Sequence, residues 1–149
     1  MARYYEDFEV GEKFASLGRT MTEGEIMILE GIGRFSEPLM INKQFAKTTR
    51  FVRPIVPAPV IMFIAGGLEE MGGVLDDETN MGISTQNNIK FKNPLRAEDT
   101  IHLEAEVTGK KESSQSGFGL ICHRQVLRND KDEVVVEYED SHLVQKKKV

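Results

Sequence analysis

The chain has 149 residues, enough to bury a core without metals or disulfides. Its formal charge of −5 argues against a nucleic-acid binder, because phosphates are met by basic surface; the one dense basic run, Lys146-Lys147-Lys148, reads as a solvated tail. The single cysteine, Cys122, excludes an intrachain disulfide. With no apolar run of membrane-spanning length and no signal-like apolar start, a cytoplasmic protein is the simplest expectation.

No linker, repeat or shift in composition divides the sequence, so one domain over residues 1–149 is expected. "TMTEGEIMILEGIGRF" predicts a helix: Thr22 and Glu25 form a capping box, Ile26, Ile28, Leu29 and Ile32 follow, and Gly31 and Gly33 end it. Glu30 on that helix is expected at the surface. The chain then turns at Pro38, and "NKQFAKTT" reads as a short helix capped by Asn42. In "VPAPVIMFIAGGLEEMGG" Pro59 suits a first helical turn. Val60, Ile61, Phe63, Ile64 and Leu68 make that helix apolar on nearly every side, so it is expected to be wrapped by other structure.

From residue 81 the periodicity changes to two. "GISTQNNIKF", "TIHLEAEVTGKK", "GFGLICHRQVLR" and "EVVVEYEDSHLV" predict four long strands joined by polar turns. Ile101, Leu103, Ala105 and Val107 mark a buried face of the second strand; His102, Glu104 and Glu106 mark a wet one. Cys122 is expected to pack in the core, and His102 to be exposed. His123 and His142 also fall on strands, and no His, Cys or acid spacing suggests a metal site. The fold class expected is α+β: an antiparallel sheet wrapped around a central buried helix.

That architecture is the hot-dog fold, and the sequence resembles its MaoC-like (R)-specific enoyl-thioester hydratases over nearly the whole chain. "YYEDFEVGEKF" is similar to the family's opening Y-x-D-x-x-V-G. "PLMINKQFAKTTRFVRPIVPAPVIMFIAGGL" follows its P-I/L-H-x-D/N-x-x-F/Y-A-x-x-S/T-x-F-G-x-x-I-A-H-G, and "IKFKNPLRAEDTIHLEAEV" its later x-F-x-x-P-V/L-x-x-G-D-T-I/L. The resemblance implies addition of water across a double bond conjugated to a thioester. Coenzyme A or phosphopantetheine then enters as part of the substrate, with no separate cofactor. In the family motif G-D-x-N-P-I/L-H, the aspartate and histidine activate the water and pass the proton.

Aligned on Pro38, the aspartate's place falls to Phe35 and the histidine's to Met40, neither of which transfers protons. Glu37 replaces the asparagine and Arg34 the first glycine; Val56, Pro57 and Ala58 replace A-H-G. Ala58 retains an N–H able to polarise a carbonyl, whereas the flanking prolines have none. The expected substrate-binding set is therefore Phe35, Met40, Asn42, Arg53, Val56, Pro57 and Ala58, the apolar members making a tunnel for an acyl chain. Glu37 is the stand-in base. Arg34, Arg50 and Arg53, and less directly Lys90 and Lys92, are the groups able to meet a coenzyme A phosphate.

Four readings follow: an acyl-thioester-binding family member weak or inactive alone, a hydratase using Glu37, a non-catalytic subunit of a heteromeric dehydratase, and a thioesterase. The last needs a carboxylate near the central helix, and Glu69 and Glu70 lie at its far end. Long strands with open edges predict at least a homodimer, or a heteromer with a catalytic hot-dog subunit.

Overall fold

The computed structural model describes residues 2–73, 75 and 78–148. After a 3-10 turn at Tyr5–Asp7, two short strands not anticipated from sequence, β1 (Lys13–Ala15) and β2 (Arg19–Thr20), precede three helical segments. These are α1 (Glu23–Gly33), α2 (Pro38–Ile41) and α3 (Lys43–Lys47); the long α4 (Ala58–Met71) follows. Four long strands complete the chain: β3 (Asn80–Phe91), β4 (Thr100–Glu112), β5 (Phe118–Asn129) and β6 (Val134–Gln145). They form one antiparallel sheet in the order β1-β4-β5-β6-β3, with β2 also pairing β4.

The period-two patterning works as expected on β4, where Ile101, Leu103, Ala105 and Val107 are all buried. Ile101 and Leu103 pack with Ile61, Ile64, Ala65 and Leu68 of α4, which lies against this face of the sheet, whereas Val107 joins Phe8, Ile121 and Val144. On β5 the inward positions are odd-numbered, so Ile121, His123, Gln125 and Leu127 are buried while Cys122 takes an outward, partly exposed place. The expectation that Cys122 packs in the core is thus corrected by register: a one-residue phase decides the face. Gly119 leaves room for the Tyr5 ring, which would sit 2.3 Å from any Cβ placed there.

α4 is buried on one side only. Phe63 is 70% exposed and Met71 57%, so within one chain the helix has an open apolar flank rather than a wrapping all round. α1 shows the same departure. Its capping box forms as expected, but Ile28 and Ile32 face outward, and the buried positions are Ile26 and Glu30. Gly31 does not stop the helix either; it ends after Gly33, where Arg34 adopts a left-handed φ of 54°.

Candidate functional site

The loop after α1 is set by its cap. The Arg34 N–H returns to the Glu30 and Gly31 carbonyls, and the Phe35 N–H donates to the Glu30 carbonyl at 3.0 Å. Pro38 opens α2, and Asn42 both closes it and caps α3, its Oδ1 accepting from the N–H groups of Gln44 and Phe45 at 3.0 Å each. Beyond α3 the chain makes a tight turn on Val52, with the Arg53 N–H donating to the Phe51 carbonyl at 2.7 Å. The Arg53 guanidinium then donates to the Ala97 carbonyl at 3.1 Å, and the Val56 N–H to the Leu95 carbonyl at 2.8 Å. Residues 51–56 are thereby pinned to the turn before β4.

Between these segments runs a groove of about 1050 Å³. Phe35, Met40, Asn42, Arg53 and Val56 line it, five of the expected substrate-binding residues. Pro57 and Ala58 do not: Pro57 is buried, and Ala58 is an exposed residue at the start of α4. Ala58 opens the helix, so its N–H has no acceptor within the helix. Glu37 also lies outside the lining. It is exposed, and its carboxylate accepts from the neighbouring Ser36 N–H. Arg34 is exposed at the cap of α1, and the Arg50 guanidinium lies over the Phe51 ring; neither lines the groove.

Three carboxyls line the groove, Glu23, Glu30 and Glu98, and the buried one is Glu30, only 5% exposed. Burial pushes its pKa up, because no cation compensates for the water it has lost. A buried carboxyl with its pKa raised by desolvation, set in a groove, is a candidate for proton exchange with a bound molecule. The surface expectation for Glu30 is corrected here. The signal available was its spacing: Glu30 follows Ile26 by four residues and shares its face. Along the same lining Lys43, Lys47 and Arg53 supply cationic groups, with Lys43 paired to Glu23.

The backbone round the groove has a further property. Three positions that the family motifs give to glycine are Arg34, Val52 and Glu98, and their φ values are 54°, 63° and 72°. At all three the main chain holds the left-handed conformation that glycine adopts most readily. Of the histidines, His102 sits part-exposed beside Glu104, while His123 and His142 are buried far from this lining, between α4 and the sheet.

No protein-family model matches the chain. The fold is that of hot-dog proteins. The structure superposes on a monoamine oxidase regulatory protein from Archaeoglobus with a TM-score of 0.89 at 27% identity, covering 99% of this chain and 97% of that one. It superposes on a MaoC-like dehydratase from Rhodospirillum rubrum with a TM-score of 0.86 at 19% identity, covering 99% and 100%. In sequence it is 31% identical over 106 residues to an (R)-specific enoyl-CoA hydratase of Rhodospirillum rubrum, spanning 71% of this chain and 70% of that relative. The chain belongs to the MaoC-like (R)-specific enoyl-CoA hydratase family.

Proposed function

We propose that this chain binds an acyl thioester in the α1–α3 groove and, acting alone, hydrates simple enoyl thioesters weakly or not at all. The observation that carries this reading is the lining itself: Phe35 and Met40 occupy the places of the family's aspartate and histidine, inside the groove. Hydration needs one group that accepts a proton as water attacks the β-carbon and one that delivers a proton to the α-carbon. An aromatic ring and a thioether do neither. They form apolar wall suited to an acyl chain, and Lys43, Lys47 and Arg53 suit the phosphates of coenzyme A or phosphopantetheine. The active assembly joins chains along the β3 edge, with a second copy or a hot-dog chain bearing the intact acid–base pair.

Glu30 favours a second reading, in which its buried carboxyl takes both proton roles in turn, accepting from water and then delivering to the α-carbon. Loss of crotonyl-thioester absorbance separates the two. The first reading expects a rate near background in the unmodified chain, and a rise of about 10²-fold in Phe35→Asp combined with Met40→His, with little from either change alone. An ordinary enzymatic rate in the unmodified chain overturns it. Abolition of that rate by Glu30→Gln assigns the chemistry to Glu30; the same abolition by Glu37→Gln, with Glu30→Gln silent, assigns it to Glu37.

A further inference from the structure

The apolar core is divided. One cluster gathers Leu68, Leu103, Leu127 and Tyr138; a second gathers Phe8, Val107, Ile121 and Val144. Between them five polar side chains meet: Glu69 from α4, His123 and Gln125 from β5, and Asp140 and His142 from β6. Their exposures are 2%, 0%, 0%, 3% and 3% in that order. Register explains the meeting, since His123 pairs with Asp140 across β5 and β6, and Asp140 and His142 share one face. Two carboxylates in such a place are costly unless something positive lies between them.

The contacts describe ligands turned towards a common point. His123 Nδ1 is 3.2 Å from Asp140 Oδ1. His142 Nε2 is 3.0 Å from Glu69 Oε1 and 3.6 Å from Asp140 Oδ2, yet it satisfies hydrogen-bond geometry with neither. The orientation of the His142 ring follows from its other nitrogen. Asn80 Oδ1 already accepts from the Gly82 N–H at 3.0 Å, so it also accepts from His142 Nδ1 at 3.3 Å, which turns Nε2 towards the two carboxylates. The His123 Nε2 and Gln125 Oε1 are buried without a partner as well.

The spacing fits an ion. Four ligands at the usual zinc–nitrogen and zinc–oxygen lengths of about 2.0–2.2 Å are separated along tetrahedral edges of about 3.3–3.6 Å. One ligand atom from each of Glu69, His123, Asp140 and His142 falls within 4.8 Å of the other three, so small side-chain rotations complete the shell. Gln125 donates to Glu69 at 2.6 Å and to Asp140 at 3.1 Å, holding both carboxylates as an outer residue does in metal sites.

We propose that Glu69, His123, Asp140 and His142 bind one divalent transition ion of the zinc type, which fastens the C-terminal turn of α4 to β5 and β6. Two imidazoles select such an ion over magnesium or calcium, and two carboxylates neutralise its charge. None of the four ligands lines the acyl groove, so the ion is structural and independent of the thioester chemistry. Because the ligands are buried, loading accompanies folding.

The test refolds the full chain with excess Co²⁺ or Zn²⁺, dialyses it, and measures bound metal, the visible spectrum of the cobalt form and the melting temperature. One equivalent per chain is expected, with the absorption of a four-coordinate cobalt ion and a raised melting temperature. His142→Gln and Asp140→Asn should each weaken binding at least about 100-fold while the far-ultraviolet circular dichroism is kept. Absence of stoichiometric metal in the refolded unmodified chain overturns the proposal. So does unchanged binding in both variants, or a cobalt spectrum of six oxygen ligands. Should both variants fail to fold, the unmodified chain's stoichiometry and cobalt spectrum decide alone.

Discussion

At Val52 a β-branched residue holds a φ of 63°, the conformation that costs an ordinary residue about 1–2 kcal/mol and a branched one most. It is held there by the hydrogen bonds of Arg53 to the Phe51 and Ala97 carbonyls on either side of the groove wall. Replacing it with glycine relieves that strain, while the freer unfolded chain takes back roughly 0.4–1 kcal/mol. Val52→Gly is therefore expected to stabilise the protein by about 1 kcal/mol, read as a higher urea midpoint with an unchanged slope. A lower midpoint would show that the Val52 side chain contributes more through packing than its backbone loses. Glu30 belongs to the same scale: it is a buried carboxyl in the groove lining, and burial raises its pKa.

Among the elements, β6 carries the groups whose ionisation is most coupled to folding. Burial opposes a charged His142 ring, but the Asp140 and Glu69 carboxylates outweigh burial and hold its pKa up to about 9, above the ordinary 6.5. Burial likewise works against the Asp140 carboxylate, and His123 and His142 outweigh it, holding Asp140 down to about 2 from 3.8. The signs follow from linkage. A raised histidine contributes stability that is complete below 6.5 and lost as pH climbs through about 9. A depressed aspartate contributes stability that is present above 3.8 and lost as pH falls through about 2. In the presence of a chelator, thermal stability should decline from pH 6.5 to pH 9, and His142→Gln should flatten that decline. A melting temperature that rises over this interval contradicts the assignment.

For the whole molecule the open question of packing sits at one edge of the sheet. Among the described residues β3 pairs only with β6, and its Met81, Ile83 and Phe91 are 52%, 48% and 45% exposed. Phe63, on the open flank of α4, is 70% exposed. An uncovered edge strand with apolar side chains is a template for another strand, and a second chain placed there continues the sheet. Light scattering should accordingly report a dimer or larger assembly. Ile83→Lys combined with Phe91→Lys should shift it to a monomer with the far-ultraviolet spectrum kept. An unmodified chain that runs as a monomer at all concentrations removes edge-to-edge assembly.

Periodicity and capping sufficed for the elements: the capping box of Thr22 and Glu25, Asn42 at α3, and two-residue alternation on β4 were legible because each is a local pattern with a local cause. Five of the residues that motif spacing singled out, Phe35 and Met40 among them, line one groove. The faces were decided by tertiary structure. Which phase of β5 turns inward, that Glu30 is buried while Ile28 is exposed, and that α4 keeps an open flank all depend on what packs against each element. The meeting of Glu69, His123, Asp140 and His142 is the clearest case. Their separations along the chain carry no ligand pattern, and only the β5–β6 register beneath α4 brings the four side chains together.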